Sequence, residues 1–118
     1  MPMIFRRLAE SDLPGILALQ DANLFDNLDV EARREGFLSA RFGAEEFSRM
    51  DREAAVVVAE EAGRIAGYAC STTVESCRAV PVLSAMIATF HRVTFLGNVL
   101  ADSAVVIYGP VCAKLVSW

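Results

Sequence analysis

Few side chains in this sequence are placed to do chemistry, and they are scattered. His91 is the only histidine and could serve as a base in isolation. It follows an apolar helical stripe with no companion residue, so it reads as a surface or capping group. Cys70, Cys77 and Cys112 lack the short spacings of a four-ligand zinc site. Their odd number fits reduced, intracellular thiols better than a disulfide framework. No metal is expected. Nothing near Cys112 in sequence would lower its pKa and activate it, which makes it a small core residue. Glu60 and Glu61 fall at a hairpin turn, where solvated charge is the simpler reading.

The elements that must position these groups fit one domain, since 118 residues leave no room for a second. A hydrophobic fraction of 54% and a mean hydropathy of +0.39 supply a core and exclude disorder. The net charge of -4 excludes a nucleic-acid surface, which needs clustered basic side chains to displace counterions. Charge is unevenly spread: residues 79–118 carry only Arg92, Asp102 and Lys114. Such a stretch is expected to be interior or covered by a partner. A membrane span is not expected, because His91-Arg92, Gly97-Asn98 and Asp102-Ser103 interrupt the stretch at short intervals. The first residues lack the apolar segment of a signal peptide, so a cytoplasmic location follows.

Along the chain, Met3–Leu8 reads as a first strand. Ser11 or Asp12 can cap a helix with Pro14 in its first turn, and Leu13, Ile16, Leu17 and Gln20 share one face down to Ala22-Asn23. Leu24–Asp29 is a loop with Leu24 and Phe25 exposed. Asp29 caps a second helix that breaks at Gly36, and Gly43–Met50 is a third, with Phe47 and Met50 inward. Ala54–Glu60 is β-branched and apolar enough for a strand buried on both faces. Glu61-Ala62-Gly63 turns it into an antiparallel partner, Arg64–Ser71, where Gly67 marks a bulge or a close backbone approach. Pro81 opens a helix whose stripe of Val82, Leu83, Met86, Ile87 and Phe90 predicts a docking face. Gly97-Asn98 and Asp102-Ser103 turn the chain into a last strand, Ala104–Cys112.

This order is similar to the first half of the GNAT superfamily of acyl-CoA-dependent N-acyltransferases. The phrases that carry the resemblance are Asp12-Leu13-Pro14-Gly15-Ile16, Glu35-Gly36-Phe37-Leu38-Ser39, the hairpin Val56–Glu60 with Arg64–Tyr68, and Ile107-Tyr108-Gly109-Pro110-Val111-Cys112. The resemblance implies an α+β fold, a mostly antiparallel sheet of about four strands with flanking helices. It implies acetyl-CoA as cofactor, its pantetheine arm paired with the strand backbone at Val111, Cys112 and Ala113. It also implies acceptor contacts from Phe37, Leu38 and Tyr108, the acceptor being a small amine or a peptide. Each of these three side chains has a packing role as its plainer reading, a strand tyrosine most often packing its ring. Many members deprotonate the acceptor with a carboxylate on the fourth strand, and this strand has none.

In the family the fourth strand leads into a glycine-rich loop at a helix N-terminus that binds the pyrophosphate. Here Ala113-Lys114-Leu115-Val116-Ser117-Trp118 occupies the lead-in, and no glycine follows Gly109. Residues 1–118 are therefore expected to be a single truncated GNAT-like domain, inactive alone and without measurable acetyl-CoA affinity. The alternative is a non-catalytic homo-oligomer, associating through the bare edge of the terminal strand or the 82–90 helix. A third reading is a small regulatory or ligand-binding domain of different topology, in which 64–71 does not pair with 54–60.

Overall fold

A computed structural model of the chain describes residues 2–113. In chain order the elements are β1 (Ile4–Arg7), α1 (Leu13–Asn23), α2 (Val30–Arg33), α3 (Ala44–Glu53), β2 (Ala55–Glu61) and β3 (Arg64–Thr73). They continue with α4 (Val74–Cys77), α5 (Pro81–Ile87), β4 (Thr94–Phe95), β5 (Asn98–Val99) and β6 (Val106–Ala113). The fold is α+β: β1, β2, β3 and β6 form an antiparallel sheet in that order, and β4 and β5 form a separate hairpin. β2 and β3 pair antiparallel, so the sheet of the third reading is not the one formed. Among the described residues, no helix is long and apolar enough to cross a membrane. Lys114–Trp118, the lead-in to the expected phosphate loop, lies outside the described residues.

α1 and α3 cover one face of the sheet. Ile16, Phe47 and Met50 pack against Val56, Val58, Tyr68, Cys70 and Cys112, and all eight are buried. Strand alternation puts Val56 and Val58 on this face and turns Val57 to the other, where it is exposed. β2 is therefore buried on one face only, not on both. The correction has a topological cause: an antiparallel sheet needs a layer on one face alone. At the β2–β3 turn, Ala62 (φ 52°) and Gly63 (φ 77°) both take the left-handed conformation that matches strand twist. Gly67 is a close approach, since a Cβ there would lie 2.9 Å from the Cys112 carbonyl oxygen on β6. The adjoining register shift sits between Ala59 and Glu60, opposite Ala66.

Residues 79–105 depart from expectation. The predicted stripe splits into two i,i+4 pairs: Leu83 is half-buried and Ile87 buried, while Val82 and Met86 face solvent. α5 spans only seven residues. A helix that short turns a single i,i+4 pair inward. The stretch is not interior, for Val93, Phe95, Leu96 and Val106 are also exposed. The β4–β5 hairpin was not foreseen. Its turn is made by Leu96 and Gly97, both at positive φ (53° and 82°).

Candidate functional site

The residues singled out by the resemblance come from three distant parts of the chain, and two adjoining clefts gather them. The smaller, about 250 Å³, lies between Asn23, Glu35, Phe37 and Leu38 on one side and Val111, Cys112 and Ala113 on the other. The larger, about 420 Å³, is lined by Phe37, Leu38, Arg49, Thr72, Cys77, Tyr108 and Val111, among others. Phe37 and Leu38 form the wall common to both. Tyr108 is 73% exposed, so its ring does not pack into the core as the plainer reading had it. β6 is not the fully buried strand its sequence suggests.

The segment carrying Phe37 and Leu38 is clamped at both ends. Gly36, at φ 115°, reverses the chain after α2 in a conformation that only glycine adopts freely. Leu38 then bridges Leu24: its N–H donates to Asn23 O and its carbonyl accepts from Phe25 N–H, each at 2.9 Å. Leu24 is buried, not exposed as read from sequence. Phe25 meets Phe37 edge-to-face at 4.9 Å, and the Arg33 guanidinium lies 3.7 Å from the Phe25 ring centre. At the far end, Gln20 in α1 is buried and grips the Phe42 backbone, its Nε2 donating to Phe42 O and its Oε1 accepting from Phe42 N–H, both at 2.8 Å. Sequence reading put Gln20 on the inner face but missed this role. A polar residue among apolar i, i+3 and i+4 neighbours was the available signal.

β6 is an edge strand among the described residues, so alternate residues direct backbone N–H and C=O groups away from β3. Gly109 and Pro110 together oppose Cys70, a bulge that shifts the register between Tyr108 and Val111. Polar backbone at Val111–Ala113 is what this edge offers a ligand. Two of the thiols, Cys70 and Cys112, offer no nucleophile: burial pushes Cys70 up to about 12 and raises Cys112 as well, so both stay protonated. Burial likewise raises Tyr68, whose hydroxyl is enclosed with no hydrogen-bond partner among the described residues. β6 carries no carboxylate. Glu35 and Glu46 are the acids on the cleft walls, and Glu46 also accepts from Gly43 N–H at 3.1 Å as a helix cap. Neither was picked out from sequence as a site residue. His91 is exposed and lies outside both clefts. Among the described residues no three His, Cys, Asp or Glu side chains gather as a metal site.

No family model, curated protein or solved structure matches this chain. The functional reading therefore rests on the residues and their arrangement.

Proposed function

We propose that this chain carries the acceptor side and the pantetheine side of an acetyl-CoA-dependent N-acyltransferase of the GNAT kind. The observation that supports the reading is the convergence of Phe37, Leu38, Tyr108 and Val111–Ala113 on adjoining clefts that share one wall. In this reading the free edge of β6 pairs with the amides of the pantetheine arm, and the amine acceptor enters beside Phe37, Leu38 and Tyr108. Glu46 at the larger cleft and Glu35 at the smaller are the carboxylates on the walls available to take the ammonium proton. These 118 residues contribute no Gly-rich cradle after Gly109 for the pyrophosphate. Turnover by the 118 residues alone is accordingly not expected. In place of the sequence expectation of no measurable affinity, the clefts lead us to propose a weak hold on the cofactor through its pantetheine arm alone. Saturation-transfer NMR of acetyl-pantetheine should show contact with the wild-type chain and lose it when Leu38→Arg fills the shared wall. Equal contact with both proteins would sink the proposal.

A second reading is non-catalytic self-association through the edge of β6 or the 82–90 helix. The exposure of Val82 (78%), Val106 (63%) and Val111 (47%) favours it. An apolar edge strand left bare is a template for pairing with another chain.

A further inference from the structure

The second face of the sheet bears no helix among the described residues. Cross-strand neighbours on it form two rows, Phe5–Ala59–Gly67–Ala113 and Arg7–Val57–Ala69–Val111. Phe5 is 70% exposed, and beside it in the same row come a methyl, a bare glycine and another methyl. These small residues floor a trough of about 570 Å³ that Met3 and Phe5 wall on one side and Val111 on the other. Charge is confined to the rim: Arg7 pairs with Asp51 at 2.9 Å, and Glu61 lies at the end of β2.

We propose that this open face binds a second copy of the same chain about a two-fold axis, each Phe5 seated in the other's Ala59–Gly67–Ala113 trough. The inference rests on the self-association reading and moves the contact from the sheet's edge to its face. An isologous contact needs a knob and a hole on one surface. The first row holds both, side by side. Strands about 4.8 Å apart set the three small positions across about 10 Å, room for a phenyl ring. With β2 seven residues long, the face measures roughly 19 by 23 Å. That footprint is roughly 440 Å², about half the 800 Å² per partner of a standard interface, so the dimer is a weak one held chiefly by the two Phe5 rings. The centre of the face buries no unpaired charge, so its closure carries no ionic desolvation cost. Pairing at the β6 edge alone would leave Phe5 and the trough in water.

Sedimentation velocity across the micromolar range tests this on the 118-residue chain, with Phe5→Glu and Ala59→Glu as variants. Phe5 is exposed on an edge strand, and circular dichroism checks that both variants stay folded. The expected result is a wild-type dimer weakened about 30-fold or more by either substitution, the scale of losing a buried aromatic anchor. A wild-type dimer that both folded variants retain overturns the face and leaves the edge reading standing. A wild-type monomer throughout the range overturns both. A monomer whose Trp118 emission shifts in Phe5→Glu assigns the face to the chain's own last residues, and equally contradicts the proposal.

Discussion

Asp12 illustrates how a residue read correctly for its place can be wrong for its partner. The sequence suggests a helix cap, but the carboxylate makes no capping bond to α1. It receives both terminal nitrogens of Arg6, at 2.7 and 2.8 Å, and the Ala9 N–H at 2.8 Å. The Arg6 hydrogen bonds hold its pKa below the ordinary carboxylate value. A depressed folded pKa means that the stabilisation is present above the ordinary value and is lost as pH falls through the folded one. Asp12→Asn should therefore lower stability at neutral pH and flatten its fall in acid. Urea midpoints followed over acidic pH check this, and an unchanged acid slope would contradict it. Gln20 makes a comparable point about the site: Gln20→Ala leaves the Phe42 N–H and carbonyl without partners, at a cost of about 2 kcal/mol. Urea unfolding measures that cost, and a loss near zero would show that the clamp does not hold the segment.

At the scale of elements, legibility followed the depth of the core. α1, α3, β2 and β3 are close to their expected limits because residues such as Ile16, Phe47, Val56 and Val58 face a packed layer, which imposes the helical or alternating period on the sequence. Val82, Met86, Phe95 and Leu96 face solvent, so their apolar character gave no true guide to packing. The β4–β5 hairpin escaped notice for another reason: its turn uses Leu96 where left-handed backbone favours glycine or asparagine. The clefts were legible in part. The motif phrases named Phe37, Leu38, Tyr108 and Val111–Ala113. The break at Gly36 and the start of α3 at Gly43 were legible too, but that they bring Glu35 and Glu46 to the cleft walls depends on tertiary packing, which no local pattern announces. Leu96→Gly should relieve about 1 kcal/mol of backbone strain. Slower amide exchange within 94–99 is the expected sign, and faster exchange would contradict it.

For the whole molecule, the sheet divides the labour. One face builds the core with α1 and α3, the edge at β6 meets the clefts, and the other face is open among the described residues, with Phe5 beside its trough. The reaction chemistry proposed belongs to the edge and the association to the open face, so the two are separable by experiment. The central claim is that the backbone at Val111–Ala113 and the Phe37–Leu38 wall together receive an acyl-pantetheine arm. An amide NMR titration of the 118-residue chain with acetyl-CoA tests it most directly. The expected result is weak binding, with shift changes concentrated at 111–113 and 37–38. Changes confined to the face carrying Phe5, Ala59 and Ala69, or no change at all, would contradict it.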